Sequence, residues 1–168
     1  MTRYVALLRA VNLGGASTLP MADLRALCEA AGFGGVRTYI ASGNAVFDSD
    51  ADEAAVKAAL EQALLDYSAN PVRAIVRTGA EMAAVLAANP FRDRPPNRVV
   101  AVFLDTPPPP DWRERATGMK TEQLAAGDRE IFVHYPDGQG VSRLKVAAFA
   151  VGTARNLNTV AKLAEMAA

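Results

Sequence analysis

The stretch Tyr4-Val5-Ala6-Leu7-Leu8-Arg9-Ala10-Val11, followed by the turn Asn12-Leu13-Gly14-Gly15, sets the beginning of the fold. A short apolar run that a glycine turn closes is typical of a buried strand, so we predict a strand over residues 3–11. Glycine and asparagine tolerate a positive φ and expose backbone N–H groups, which makes the turn a candidate for anion binding. A plain strand-to-helix turn is the simpler interpretation.

The elements after this strand are, in order, a helix, two strands, a helix and a strand, predicted at 20–31, 36–41, 44–48, 52–67 and 72–77. Pro20 opens the first helix, because its missing N–H costs nothing in the first turn, and Gly32 ends it. Ser42-Gly43-Asn44 joins the two central strands as a hairpin turn. The order βαββαβ is that of the ferredoxin-like α/β plait.

The second half of the chain partly repeats this pattern. The predicted elements are a helix at 79–88, a strand at 98–104, a short helix near Trp112, a hairpin from 123–125 and 130–135, and helices at 142–150 and 156–167. A final helix takes the place of a clear fourth strand. We therefore predict an α+β fold of two ferredoxin-like (α/β-plait) subdomains, residues 1–78 and 79–168, of which the second is irregular and ends in a C-terminal helix.

Composition narrows the class of protein. The chain has 168 residues, 51% of them hydrophobic, which suits one domain or two small subdomains that share a core. No apolar run approaches the roughly 20 residues that span a bilayer, and Met1-Thr2-Arg3-Tyr4 leads directly into a strand, so we expect a cytoplasmic protein without a membrane segment. The 18 basic and 18 acidic residues balance, which argues against strong non-specific nucleic-acid binding but leaves room for a local basic patch.

Few residues offer metal or nucleophile chemistry. Cys28 is the only cysteine, which excludes an internal disulfide and a thiolate zinc site, and its place on an apolar helix face predicts a buried, inert thiol. His134 is interpreted as an exposed or hydrogen-bonded strand histidine, with a general base as the alternative. The acidic run 48–53 fails as a calcium loop because Glu53 stands where glycine is needed, so it is interpreted as a helix N-terminus. We predict no metal and no cofactor, and the sequence leaves open whether the protein is an enzyme.

Polar residues at strand and helix ends provide a candidate site. Arg9 ends an apolar strand, where its charge must reach solvent, an ion-pair partner or an anion; we favour an ion pair. Asn156 is a predicted N-cap, and Arg155, Asn158 and Lys162 follow the spacing of one helix face. Such a helix start favours negative charge through its N–H groups, its dipole and the guanidinium. A capped helix with a solvated polar face is the simpler interpretation.

A family resemblance rests on motifs that follow one another over nearly the whole chain. They are Leu7-Leu8-Arg9-Ala10-Val11-Asn12-Leu13-Gly14-Gly15, Pro20-Met21-x-x-Leu24, Arg37-Thr38-Tyr39-Ile40-Ala41-Ser42-Gly43-Asn44-Ala45-Val46-Phe47, Asn89-Pro90-Phe91 and Thr153-Ala154-Arg155-Asn156-Leu157-Asn158-Thr159-Val160-x-Lys162-Leu163. With them the chain resembles the uncharacterised bacterial family called domain of unknown function 1697. The resemblance implies two α/β-plait-like subdomains and no established activity, cofactor or partner. The chain departs from the family pattern at Ala10, where members usually carry Gly, at Leu157, where they usually carry Trp, and between Ser142 and Thr153, where it is a few residues short.

These observations combine into one hypothesis for function. We expect an anionic small molecule, such as a phosphorylated metabolite or a nucleotide, to bind in a cleft between the subdomains that is formed by Arg9, Asn12, Ser42, Asn44, Arg155, Asn156 and Lys162. One alternative is weak binding of single-stranded nucleic acid, with Tyr4, Tyr39 and Phe47 as stacking platforms on a sheet. The other is that the motifs are purely structural caps and turns. The sequence does not predict an oligomeric state.

Overall fold

The computed structural model describes residues 1–9, 19–40, 43–68 and 71–168. Within them the chain forms two compact units. The first comprises Met1–Met82 with Leu163–Ala168, and the second comprises Ala83–Lys162. The division predicted from the sequence, 1–78 and 79–168, differs in that residues 79–82 and 163–168 cluster with the first unit.

The first unit has the predicted βαββαβ order. Its elements are β1 (Thr2–Leu8), α1 (Met21–Ala30), β2 (Gly34–Thr38), β3 (Asn44–Ser49), α2 (Glu53–Ser68) and β4 (Ala74–Thr78). The strands form an antiparallel sheet in the order β2-β3-β1-β4. The helix α3 (Gly79–Ala88) begins directly after β4.

Alternation along β1 separates the two faces of this sheet. Ala6 and Leu8 pack in a core with Leu24 of α1 and Leu60 of α2, so the two helices cover that face. Successive side chains of a strand point to opposite faces. The odd-numbered residues of β1, and Arg9 directly after it, therefore belong to the face that α1 and α2 do not cover.

The acidic run before α2 serves the start of that helix. Oδ1 of Asp52 accepts the backbone N–H of Ala55 at 2.8 Å, and Oγ of Ser49 accepts that of Ala51 at 3.1 Å. The bond to Asp52 satisfies an N–H group that a helix start leaves without a partner, and the bond to Ser49 holds the turn before the helix. Among the described residues, no group of three or more His, Cys, Asp or Glu side chains is placed to hold a metal ion.

The second unit contains another four-stranded sheet. Its elements are β5 (Val99–Phe103), β6 (Gln123–Ala126), β7 (Glu130–His134) and β8 (Thr153–Asn156), and α4 (Leu157–Met166) begins at the end of β8. The sheet is antiparallel in the order β6-β7-β5-β8. Val102, Ile131 and Trp112 share a core on one face. The two antiparallel sheets and four α-helices of the described residues confirm the predicted α+β fold.

The prediction that the second half lacks a clear fourth strand was wrong. Residues 153–156 form β8, which pairs with β5 from Phe103 opposite Thr153 to Val100 opposite Asn156. A four-residue strand is too short to show a period of its own. Its formation depends on a partner about fifty residues earlier in the chain, which no local pattern reveals.

Two helices predicted in the second half are also absent from this fully described stretch. In place of a helix at 142–150, Lys145 forms an isolated bridge with Thr117, and a 3-10 helix covers Ala147–Val151. Turns replace the short helix near Trp112. The alanines of 147–150 favour helix by propensity, but the pairing of Lys145 with Thr117 overrides that preference in this segment.

The helices that the structure describes are short. The longest of them, α2, has 16 residues, whereas a membrane span needs about 20 apolar residues. None of these helices has both the length and the apolar character to cross a bilayer.

Candidate functional site

The hairpin between β2 and β3 is closed by its two flanking residues. The backbone N–H of Tyr39 donates to the carbonyl oxygen of Asn44 at 3.0 Å, and the side-chain amide of Asn44 donates back to the carbonyl oxygen of Tyr39 at 2.8 Å. Asn44 is fully buried. The side chain predicted to contact a ligand therefore has a structural role in holding the turn.

The backbone of this turn is strained at one residue. Ile40 has a φ of 51° and Gly43 a φ of 88°. Glycine adopts a positive φ freely, whereas a β-branched residue there is a genuine outlier that costs about 1–2 kcal/mol. Ile40 is also 46% exposed, so no burial of its side chain offsets the strain. Strain of this kind is concentrated at functional sites, which makes the turn a candidate.

Arg9 lies where β1, the hairpin and β4 meet. The N–H of Leu8 donates to the carbonyl oxygen of Gly43 at 2.8 Å, and the N–H of Arg9 donates to the carbonyl oxygen of Arg73 at 2.9 Å. Arg9 is half-buried. In the part of the chain that the structure describes, its guanidinium has neither a hydrogen bond nor an ion pair, so the favoured ion pair is not found there.

Arg73, whose carbonyl oxygen accepts the N–H of Arg9, shares one carboxylate with Lys57 of α2. Glu61 lies 3.0 Å from Nζ of Lys57 and 3.8 Å from Nη1 of Arg73. Its Oε2 also accepts the backbone N–H of Ala74 at 2.9 Å. Because Glu61 serves three donors, this end of the first sheet carries a surplus of positive charge.

The structure places only some of the predicted site residues together in the first unit. The structure brings Arg9 next to the hairpin of Asn44, as the hypothesis requires of those two. Asn12 and Ser42 lie outside the described residues. Arg73 and the strained Ile40 were missed by sequence reasoning, because the pairing of β1 with β4 and the φ of a turn residue are not visible in a linear pattern.

Arg155 is a buried residue of β8. It pairs with Ala101 of β5, which in turn pairs with Phe132 of β7, so the three share one sheet face. Its guanidinium donates to Oγ1 of Thr153 at 2.7 Å and to the carbonyl oxygen of Ala154 at 2.9 Å. Burial lowers the pKa of Arg155 to about 10, which still leaves it charged at neutral pH.

The start of α4 confirms the predicted N-cap. Oδ1 of Asn156 accepts the backbone N–H of Thr159 at 3.0 Å. The spacing predicted that Arg155, Asn158 and Lys162 share one helix face. This is wrong for Arg155, because the helix begins only at Leu157. Arg155 and Asn156 are neighbours in the chain at the end of β8, and Lys162 is an exposed residue of α4.

The two residues considered for nucleophile chemistry are both buried. Burial, with a smaller effect of the Glu29 charge, raises the pKa of the Cys28 thiol to about 12, so this thiol is inert at neutral pH, as predicted. Nδ1 of His134 lies 3.2 Å from Oε1 of Gln123, and the ring of Phe91 packs against the imidazole at a centroid distance of 5.9 Å. His134 is thus a hydrogen-bonded strand histidine and not an exposed one.

The aromatic residues considered for stacking on nucleic acid are mostly core residues. Tyr4 and Phe47 are 4% and 1% exposed and lie in the core beneath α1 and α2. The ring of Phe47 stacks on that of Phe33 at 4.2 Å. Buried rings cannot stack on bases, which leaves Tyr39 alone of the three.

Comparison with known proteins identifies relatives of unknown function. The sequence matches the family described as "Protein of unknown function (DUF1697)" over residues 1–132. None of the proteins with curated descriptions matches significantly. Among solved structures, the conserved bacterial protein SP0830 from Streptococcus pneumoniae is similar, with 26% sequence identity, a TM-score of 0.83, and coverage of 99% of this chain and 98% of that chain. The chain therefore belongs to the DUF1697 family of proteins of unknown function.

Proposed function

We propose that this protein binds an anionic small molecule, such as a phosphorylated metabolite or a nucleotide, and that Arg9 contacts its phosphate. The observation that carries the proposal is that Arg9 is a half-buried residue whose guanidinium has no partner among the described residues. A charge that is partly removed from water without a counterion is unfavourable, and a bound anion would supply the counterion. A guanidinium also suits a phosphate better than a chloride, because its planar N–H groups match phosphate oxygens in pairs.

The residues around Arg9 favour the binding of an anion over that of a cation. The backbone bond from Arg9 to Arg73 holds a second guanidinium-bearing residue alongside, and the carboxylate of Glu61 is already shared with Lys57. The strained Ile40 lies in the adjoining hairpin. A dianionic phosphate would relieve the repulsion between the neighbouring cations.

The proposal rests on residues of the first unit. The participation of Asn12 and Ser42, and that of Arg155, Asn156 and Lys162 in a single cleft, stays a prediction from the sequence. We also propose a bacterial cytoplasmic setting. A single, buried, unpaired thiol fits a reducing compartment, because chains of oxidising compartments commonly use their cysteines in disulfides.

A thermal-shift screen tests the proposal. The panel contains inorganic pyrophosphate, ribose 5-phosphate, AMP and ATP, each added to wild type, Arg9→Ala and Arg115→Ala. Arg115 is a matched control, since it is an exposed arginine of the other unit in a loose pair with Asp111. A ligand at 100 times its dissociation constant stabilises by about 2.7 kcal/mol, which raises the Tm of a protein of this size by about 5–10 °C.

We expect at least one compound to raise the Tm of wild type and of Arg115→Ala, and to raise the Tm of Arg9→Ala by about half as much or less. Loss of one charge-assisted hydrogen bond removes about 1.5–3 kcal/mol of binding free energy, or roughly tenfold or more in affinity. Equal shifts in all three proteins would show that Arg9 is not the contact. No shift with any compound would contradict phosphate binding as a whole.

A further inference from the structure

We propose a second phosphate-binding site in the first unit, in an open depression at the β2 edge of the sheet, where Arg37 and Arg25 contact the anion. The depression has a volume of about 770 Å³. That is within the range of roughly 300–1,000 Å³ typical of small-molecule sites. It lies at the opposite end of β1 from Arg9, since six residues of strand separate Arg3 from Arg9 by about 20 Å.

Strand pairing places two of the arginines of this depression on one sheet face. Arg3 of β1 lies opposite Asp48 of β3, and Arg37 of β2 lies opposite Val46, two residues before Asp48. Residues two apart on a strand share a face. Nε of Arg3 donates to Oδ1 of Asp48 at 2.9 Å, and Arg37 lines the same depression. The hydrogen bond from Arg3, and to a smaller extent the charges of Arg3 and Arg37, lower the pKa of Asp48.

The third arginine, Arg25 of α1, lines the depression from the other face of the sheet, at the edge strand β2. Arg25 pairs with Glu29 one turn further along the helix, with Nε at 2.9 Å from Oε1, and this pair is largely solvated at 63% and 54% side-chain exposure. A solvated i,i+4 pair contributes only a few tenths of a kcal/mol. Arg25 can therefore exchange Glu29 for a stronger anionic partner with little loss of stabilising free energy.

The guanidiniums of Arg25 and Arg37 retain most of their donors. Among the described residues, Arg25 engages its Nε alone, and Arg37 engages Nη2 alone, with the carbonyl oxygen of Met166. Arg3, by contrast, uses three nitrogens, with Asp48 and the carbonyl oxygen of Ala168 as acceptors. Since each guanidinium has five N–H groups, Arg25 and Arg37 have more of them left for a phosphate than Arg3 has.

The shape of the β2 edge opens this space. Gly35 has a φ of +56°, and a Cβ placed there would lie 3.4 Å from Oδ2 of Asp48. The buried side chains of Phe33 and Val36 line the same depression. The depression therefore offers Arg25 and Arg37 to a phosphate group, while its apolar residues belong to the core.

The charges around the depression favour the binding of a single anion. Asp48 and Glu29 each face one arginine, Arg3 and Arg25 respectively. Within the described part of the chain, Arg37 has no carboxylate partner of its own. Removal of Glu29 should therefore strengthen anion binding, and removal of Arg25 should weaken it. These opposite signs are specific to the proposed site.

The test is a ¹H–¹⁵N NMR titration of the full chain with inorganic phosphate at low ionic strength. The amides of Gly35 and Arg37 report this depression, and that of Gly43 reports the hairpin beside Arg9. We expect saturable shifts at Gly35 and Arg37, a dissociation constant about five- to tenfold higher in Arg25→Gln, and a lower one in Glu29→Gln. Both variants remove only a solvated pair, so the fold is retained.

Arg115 and Asp111 provide the matched control. They form the same kind of i,i+4 pair, with side-chain exposures of 62% and 52%, in the second unit. Arg115→Gln and Asp111→Asn should leave the dissociation constant unchanged. Equal effects of the two sets of variants, or no shift at Gly35, would overturn the proposal. Shifts at Gly35 that persist in Arg9→Ala would support this site even if the Gly43 amide never moved and the function proposed for Arg9 failed.

Discussion

The backbone N–H of Arg9 donates a hydrogen bond to the carbonyl oxygen of Arg73 at 2.9 Å, where β1 and β4 leave the first sheet. Residues that face each other across antiparallel strands have Cβ atoms about 5 Å apart, and like charges in that position are destabilising. Arg73 is compensated by Glu61, whereas Arg9 has no such partner among the described residues. Among the described residues, nothing neutralises the charge of Arg9, so this charge does not add to the stability of the fold.

The first prediction concerns the stability of the ligand-free protein. Arg9→Gln should leave the free energy of unfolding unchanged or raise it by a few tenths of a kcal/mol, because it removes a repulsion and no bond. Urea unfolding of both proteins measures the difference. A loss of 1 kcal/mol or more would instead reveal a structural ion pair for Arg9.

The second prediction concerns the hairpin. Asn44→Ala should lower the free energy of unfolding by about 1–3 kcal/mol, because it removes the buried amide that bonds to the carbonyl oxygen of Tyr39. Asn97→Ala is the control, since Asn97 is an exposed asparagine of the second unit. Equal stability of the two variants would rule out the structural role that the hydrogen bond assigns to Asn44.

The third prediction separates capping from ligand binding at Asn156. Asn156→Ala should cost about 1 kcal/mol of stability, because the N–H of Thr159 loses its acceptor. Asn156→Ser restores a capping oxygen and should recover most of the loss in a thermal-unfolding experiment. If serine restored stability but not the binding of a ligand from the screen, Asn156 would also be a ligand contact.

The fourth prediction is a pH dependence from His134. Burial, followed by the charge of Arg94, lowers the pKa of His134, while Asp93 opposes this effect. A histidine whose pKa is lower in the folded state contributes stability above its unfolded pKa of about 6.5, and the contribution is lost as pH falls through the folded pKa. The stability difference between wild type and His134→Gln should therefore shrink as the pH falls from 7.5 to 5.

Urea unfolding at several pH values measures this difference. The subtraction cancels the carboxylates, which titrate in both proteins. A difference that stays constant over the whole range would contradict the lowered pKa of His134.

The first unit could be predicted because each element carries its own local signal. Pro20 marks the start of α1, Gly32 follows its end, and α3 covers the predicted residues 79–88. Asp52 and Asn156 were interpretable as helix starts because a capping side chain acts on N–H groups only two or three residues away. Local chemistry of this kind is present in the sequence itself.

The features that could not be predicted depend on contacts between residues that are far apart in the sequence. β8 exists because Thr153 and its neighbours pair with β5, and that pairing makes Arg155 a buried strand residue. The neighbouring position of Arg9 and Arg73 arises in the same way from the pairing of β1 with β4. A periodic pattern identifies faces within one element, but it does not say which residues of two elements will meet.

The most direct test of phosphate binding by Arg9 is to observe its side chain. In a ¹H–¹⁵N titration with inorganic pyrophosphate, the Nε–H resonance of Arg9 is assigned by its disappearance in Arg9→Lys. We predict that this resonance shifts and saturates together with the Gly43 amide, and that the Gly43 shift is lost in Arg9→Ala. An Arg9 resonance that stays in place up to saturating pyrophosphate, while Gly43 is equally unaffected, would contradict the proposed function.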